Sequence, residues 1–358
     1  MKPTVVSLFS GGGGLDLGFK AQGYKIIWAI DNELNAVETY KRNIGDHIIL
    51  ADINTINPLD IPKADIVIGG PPCQSFSLIG KRNTEDSRGR LVWTYIEILK
   101  AVQPKVFVFE NVTGLLSAKN SKGKLIVELL KKEFKKIGYT AEMKVLDAAD
   151  YGVPQHRKRV IIVGMQNGGL FVFPKASHGK GLKKYVSVLD ALGDLPPSTK
   201  SGIAKYKTEA RTDFQKKMRK KGGLVVTDHS TPNMSDLDKY IISHVKPGGN
   251  YMDIPSTVNS ARIKRLQKEG GHTTCYGRMD PDKPSYTINT FFNRPNVGCN
   301  IHYKADRLIT VREALRLQSF PDDYELVSSS KQGKHTIVGN AVPPFLAGVI
   351  AKELKKYL

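Results

Sequence analysis

Four consecutive glycines, Gly11, Gly12, Gly13 and Gly14, lie between a β-branched run and an amphipathic stretch. Residues 5–9 read as a strand, and residues 15–22 carry apolar side chains at helical spacing. Strand, glycine turn and helix in that order make the first part of a βα unit. The glycines let the backbone turn sharply and approach a ligand, and the helix N-terminus behind them offers unpaired N–H groups. The alternation continues downstream, with further strands predicted over 26–30, 47–50, 65–69, 105–109, 141–146 and 159–164. Helices are predicted over 34–43, 91–102 and 124–137. This is the pattern of an α/β fold, a doubly wound parallel sheet with a Rossmann-like order.

The chain has 358 residues, a length that suits about two domains. The βα alternation occupies residues 1–173, read here as a catalytic, ligand-binding domain. Over 174–306 lysine and glycine become frequent and strand patterns shorten, which marks a second, smaller domain. Residues 307–358 turn helical again and end in an amphipathic helix opened by proline, so they are expected to return and complete the first domain. Hydrophobic residues at 40% and charged residues at 25% are ordinary for a globular chain and exclude disordered or collagen-like classes. The net charge of +20 points to a polyanionic partner such as nucleic acid. The basic cluster Lys216, Lys217, Arg219, Lys220 and Lys221, taken alone, reads as a solvated linker. No apolar run is read as approaching the roughly 18 residues of a membrane span, and no secretory signal is recognised at the start. Three cysteines, Cys73, Cys275 and Cys299, form no CxxC pair, which suits a reducing, cytoplasmic setting.

Two sets of residues carry chemistry. Asp31 ends the second strand, where a dinucleotide-type fold places an acid at ribose hydroxyls, and Asp52 ends the third. At this point a nicotinamide cofactor and S-adenosylmethionine (SAM) are both open. The strand over 65–69 delivers Gly70, Pro71, Pro72, Cys73, Gln74 and Ser75 at its carboxyl end, where open α/β sheets bind ligands. Free cysteine is usually a small buried hydrophobe, but a Pro-Pro-Cys-Gln-Ser loop is poor packing material, so Cys73 is read as a nucleophile. The strand over 105–109 ends in Glu110, Asn111 and Val112, an acid at the same edge. Before the last strand come Gln155, His156, Arg157, Lys158 and Arg159. Alternate residues of an extended segment face one way, so Arg157 and Arg159 are expected to point together at an anion or a polar base edge.

These blocks in this order resemble the DNA (cytosine-5) methyltransferase family of bacterial restriction-modification systems, nearly end to end. Residues 9–14 resemble its SAM loop, 70–77 its Pro-Cys loop, 110–112 its Glu-Asn-Val and 155–159 its Gln-x-Arg-x-Arg. Residues 307–321 resemble its segment with Arg-Glu and Leu-Gln-Ser-Phe-Pro, and 339–344 its Gly-Asn-Ala-Val-Pro-Pro. The resemblance implies a SAM-dependent enzyme that methylates C5 of a cytosine flipped out of double-stranded DNA, at one short sequence. It makes Cys73 the nucleophile that adds to C6, Glu110 the hydrogen-bond partner of N3 and the exocyclic amine, Arg157 the holder of the O2 edge and Arg159 the group that orients Glu110. It assigns SAM to Phe9, Ser10, Gly11, Gly13, Gly14, Leu15, Asp31, Asn32, Asp52, Ile53, Pro72, Leu91, Asn340 and Val342, and calls for no metal.

Residues 76–90 have the polar, basic composition of a lid over DNA, with Ser77, Lys81, Arg82 and Arg88 as expected contacts. The second domain occupies the family's target-recognition position, where Arg278 is expected to touch DNA. A monomer is expected, with any cognate restriction endonuclease acting separately. The sequence departs from the family at Ile79 and Tyr303. The rival reading is a tRNA cytosine-5 methyltransferase, whose usual Cys-Phe-Thr is not found, since Tyr276 follows Cys275 and Asn300 follows Cys299. An NAD-dependent oxidoreductase leaves Cys73, Glu110 and the arginines unexplained, and intact Cys73 and Glu110 argue against a catalytically silent DNA-binding protein.

Overall fold

The computed structural model describes the chain except residues 73–86, 121, 167, 220–224 and 329, and for 87–90 the backbone alone. Two compact units share it. Met1–Asp147, Lys158–Lys175 and Pro344–Leu358 form the first, Ala148–Arg157 and Ala176–Pro343 the second. The chain therefore rejoins the first unit only at Pro344, not at 307, and a short excursion before Lys158 belongs to the second.

The first unit is a seven-stranded sheet in the order β3-β2-β1-β4-β5-β7-β6. Its strands are β1 (Thr4–Leu8), β2 (Lys25–Asp31), β3 (Ile48–Leu50), β4 (Ile66–Gly69), β5 (Val106–Val112), β6 (Tyr139–Asp147) and β7 (Lys158–Gln166), with helices α1 (Gly14–Ala21), α2 (Leu34–Asn43), α3 (Ser87–Val102) and α4 (Ile126–Lys136) between them. The strand order reverses at β1, which pairs with β2 on one side and β4 on the other, both parallel. That reversal opens the crevice in which doubly wound sheets bind ligands. The expected all-parallel sheet is corrected in one place: β7 runs antiparallel to both β5 and β6. A parallel partner needs a crossover of a dozen or more residues, usually helical. The link over 148–157 is shorter than that, so β7 must run back along β6.

The central strands are buried on both faces. Val6, Leu8, Val67, Phe107, Phe109, Val160 and Ile162 join Tyr95, Leu99, Leu130 and Phe134 of α3 and α4 in one core cluster. The alternate residues Val5, Ile66, Ile68, Val106 and Val108 are equally inaccessible, as expected of strands buried on two sides.

The second unit contains α5 (Val188–Leu192), α6 (Asp213–Met218), α7 (Asp236–Ser243), α8 (Ala261–Glu269), α9 (Val311–Leu317) and α10 (Lys331–Asn340), with a small ribbon of β8 (Ala204–Lys205) and β9 (Val225–Val226). Ile241, Ile242, Val245, Tyr251, Ile263, Tyr276 and Ile301 form one of its cores. Buried ion pairs organise the rest. Arg307 grips both oxygens of Glu313 at 2.8 and 2.7 Å. Burial alone would raise the Glu313 carboxyl, but Arg307 holds it down at about 2. Arg316 lies between Asp194 and Asp322, at 2.7 and 2.6 Å.

The last helix, α11 (Pro344–Leu354), returns to the first unit and lies against α1. Residues 331–357 are long and apolar enough by composition to cross a bilayer, contrary to the expectation from the sequence. They are broken between α10 and α11, and 67% of the most apolar window is buried within the protein, as in core helices. Gly18 is the contact point on α1, because a Cβ there would collide with Ala347 and lie 2.5 Å from the Gly348 nitrogen and 2.7 Å from the Pro344 oxygen. Backbone atoms cannot step aside, so Gly18→Ala is expected to destabilise the protein by about 1–3 kcal/mol. Denaturant unfolding that leaves the midpoint unchanged would show that α11 is not packed this closely.

Candidate functional site

The glycine loop leaves β1 through Phe9, a non-glycine residue held at φ 54°. Such a conformation costs roughly 1–3 kcal/mol and persists only where the surroundings impose it. Gly11 and Gly13 follow at φ 53° and 82°. A Cβ on Gly13 would strike Ile44 and Tyr40, whereas one on Gly11 would meet nothing within 4 Å, so the loop is packed on one side and open on the other. Ser10 and Leu15 turn their side chains inward; the Ser10 hydroxyl donates to the Ser7 carbonyl and contacts the Ser7 hydroxyl.

Asp31 meets this loop from the end of β2. Its Oδ2 accepts from the Gly11 N–H at 2.8 Å and its Oδ1 from the Glu33 N–H at 3.0 Å. Burial raises its pKa, and these N–H groups pull the other way. Each carboxylate oxygen keeps a further lone pair, so the loop and the acid together suit a ribose diol beside a glycine cradle. Asn32 is exposed next to it. Asp52 accepts from the Asn54 backbone and side-chain amides, and Asn54 in turn accepts from Thr94. Ile53 is buried in the core cluster, which leaves its main chain to meet a ligand. Leu91 packs at the edge of that cluster, and Pro72 is exposed. These residues fit a nucleoside cofactor of the SAM type.

Beneath the loop lies an acid to which sequence reasoning gave no role. Asp16 is fully buried in the first turn of α1, and the Tyr40 hydroxyl donates to it at 2.9 Å. Burial raises its pKa to about 6. Nothing in the sequence separates this position from any other polar residue of an amphipathic helix.

The second cluster stands on β4, β5 and β7. Gly69 pairs with Phe109, so Glu110 emerges beside Gly70. A Cβ on Gly70 would lie 2.5 Å from the Glu110 Oε2, so a side chain there would shift that carboxylate from its observed place. On the other side Val112 pairs with Arg159 and Glu110 with Ile161, which puts Glu110 and Arg159 diagonally on one face of the antiparallel pair. Arg159 Nε donates to Glu110 Oε1 at 2.8 Å, both side chains being about nine-tenths buried. Asn111 donates from its side-chain amide to the Pro71 carbonyl at 2.8 Å, fixing the chain just beyond β4. The contacts of Gly70 and Asn111 were missed by sequence reasoning, because only strand register reveals what they touch.

Cys73, Ser77, Lys81 and Arg82 lie outside the described residues, as does most of the expected lid; Arg88 falls where the backbone alone is described.

Two arginines of the second unit are turned inward. Arg157 is 1% exposed and donates to the carbonyls of Ile288 at 2.8 Å and Gly339 at 2.7 Å. Arg278 is buried as well. It is 5% exposed, and its guanidinium donates to the carbonyls of Val245, Ile242, His302 and Ala305 and to Asp306. Asn340 is exposed at the end of α10, and Val342 is buried.

A family model for C-5 cytosine-specific DNA methylase matches residues 3–356. The chain is 36% identical to the type II methyltransferase M.NgoFVII of Neisseria gonorrhoeae, over 99% of this chain and 86% of that one. It is 34% identical to M1.HphI of Haemophilus parahaemolyticus, over 99% and 87%. Among solved structures, a DNA modification methyltransferase encoded within an E. coli prophage superposes with a TM-score of 0.76 at 25% identity, covering 99% of both chains. The S. pombe Dnmt2 methyltransferase shares the fold, with a TM-score of 0.62 at 18% identity over 99% of both chains. With the glycine loop, the acid at β2 and the Glu110–Arg159 pair in place, and a family match running from one end to the other, the chain belongs to the C-5 cytosine-specific DNA methylases.

Proposed function

We propose that this DNA cytosine-5 methyltransferase uses SAM to methylate C5 of a cytosine flipped out of duplex DNA, within one short sequence, through a covalent bond between Cys73 and C6. The observation that carries the reading is the Glu110 carboxylate, wedged between Gly70 and Arg159 at the end of β4, and Cys73 follows Gly70 by three positions in the sequence.

Cytosine C5 is a weak nucleophile until something adds at C6. Thiolate addition by Cys73 forms the S–C6 bond and moves the C5–C6 π electrons toward C5 and N3. Protonated Glu110 neutralises the charge that builds on N3 and accepts from the exocyclic amine, a pattern that also selects cytosine. Arg159 keeps Glu110 in register with the ring. Arg157 donates to the Ile288 carbonyl and holds that segment, and it is the residue assigned to the O2 edge of the cytosine. Bound SAM supplies an electrophilic methyl group, which C5 accepts. Loss of the C5 proton to a base then expels Cys73 and restores the aromatic ring.

SAM is assigned to the open side of the glycine loop, with Asp31 at the ribose, Phe9, Asp52 and the Ile53 main chain at the adenine, and Pro72 and Leu91 beside them. The second unit is assigned target recognition. Ser77, Lys81, Arg82 and Arg88 are assigned to the DNA backbone. The enzyme is read as a monomer acting in the cytoplasm on double-stranded DNA, with any cognate endonuclease separate.

The deciding experiment is bisulfite sequencing of DNA from a methylation-free host that expresses the protein. Methylated cytosines confined to one short motif, and absent with Cys73→Ser, are expected. A DNA blank from folded protein with SAM present would overturn the reading and move the assay to tRNA. Asp31→Ala should weaken SAM binding by about tenfold or more, read by calorimetry; unchanged affinity would remove Asp31 from the pocket. Gly70→Ala should push Glu110 out of place and lower kcat roughly 10- to 100-fold with SAM affinity preserved. Wild-type turnover in that variant would show that Glu110 does not need its observed position.

A further inference from the structure

Residues 285–294 of the second unit are anchored on one side and bare on the other. Gln155 Oε1 accepts from the Ile288 N–H at 2.9 Å, and Arg157 donates to the Ile288 carbonyl. Gln332 donates to the Thr290 carbonyl at 3.1 Å. Gly339 presses so closely on the Asn289–Thr290 backbone that any side chain there would collide with it. Ser285 and Ile288 are buried, while Tyr286 is 50% and Phe291 41% exposed.

At the end of this clamped stretch the chain makes a turn. The Phe291 N–H is capped by Asn289 Oδ1 at 2.7 Å, and the Arg294 N–H donates to the Phe291 carbonyl at 3.0 Å. The Arg294 guanidinium lies over the Phe291 ring, 4.8 Å from its centroid. Asn293, Arg294 and Asn296 are all exposed around it. A large ring left in water under a cation, with polar neighbours, is poorly suited to an apolar protein partner. It offers a flat face for a base and a charge for the adjoining phosphate, the pairing that stacking sites for nucleic acid use.

We propose that Phe291 and Arg294 form a DNA contact of the second unit, the ring against a base and the guanidinium on a neighbouring phosphate. The proposal rests on the DNA methyltransferase reading and adds a reading element to it. The Gln155 and Arg157 clamp gives the turn a fixed register, which an element that must meet one base step requires.

The test compares full-length wild type, Phe291→Ala, Phe291→Tyr and Arg294→Ala on plasmid DNA from a host without cytosine methylation. Filter retention measures DNA binding, labelled SAM measures methyl transfer, and calorimetry measures SAM affinity. Phe291→Ala is expected to bind DNA roughly tenfold or more weakly, with SAM affinity and thermal unfolding unchanged. Phe291→Tyr should keep wild-type binding because it keeps the ring. Arg294→Ala should bind more weakly with a shallower dependence on salt. Phe291→Ala that binds and methylates like wild type overturns the proposal. Loss of folding or of SAM binding in both Phe291 variants also overturns it, because the ring would then be a packing residue. A wild-type protein that neither binds nor methylates the plasmid overturns the underlying function instead, an outcome separable from the first because it appears before any substitution is made.

Discussion

The antiparallel pairing of β7 with β5 is the constraint from which the reactive cluster follows. A parallel β7 would carry its first residues to the far edge of the sheet, away from the carboxyl ends where the site is built. Running backwards, β7 begins where β5 ends, so Arg159 meets Glu110 across the ladder. Taking two charges out of water costs several kcal/mol each, and a buried pair recovers that only with good geometry. Here strand register supplies the geometry, and the bare Cα of Gly70 makes room for the second carboxylate oxygen. The acid is therefore set in place before any substrate arrives, as electrostatic catalysis requires.

The same economy of placement governs the cofactor side. Gly13 is buried against Tyr40 and Ile44, so the loop cannot slide, while Gly11 faces open space and donates its N–H to Asp31. The reversal of strand order at β1 puts this loop and the Gly70-Pro71-Pro72 segment at the ends of neighbouring strands. Two parallel strands 4.8 Å or so apart give the proposed cofactor loop and the proposed nucleophile segment that adjacency.

Charge in the second unit is a poor map of its binding face. Arg157, Arg312 and Arg316 are among the largest fully buried side chains of the protein. Arg278, which looks like a DNA contact in the sequence, is enclosed by carbonyl groups and Asp306. These arginines build the unit by satisfying buried carbonyls and carboxylates with five donors each. The net charge of +20 still favours a polyanion, but the arginines that face it are fewer than their number in the sequence implies.

By itself the sequence determined the elements and the family to which the chain belongs. Hydrophobic periodicity located the seven strands and the helices among them, with α3 beginning earlier than expected, because periodicity and turn residues are local properties. The glycine loop, Asp31 and Glu110 were legible for the same reason: each marks the end of a strand. Tertiary structure alone decided the direction of β7, the partners of Arg157 and Arg278, the depth of Asp16 and the closeness of Gly70 to Glu110. Periodicity is the same whichever way a strand runs, and alternation tells which residues share a face without telling what lies opposite. Those outcomes depend on register between segments distant in the chain, and register is fixed only when the sheet and its packing form together.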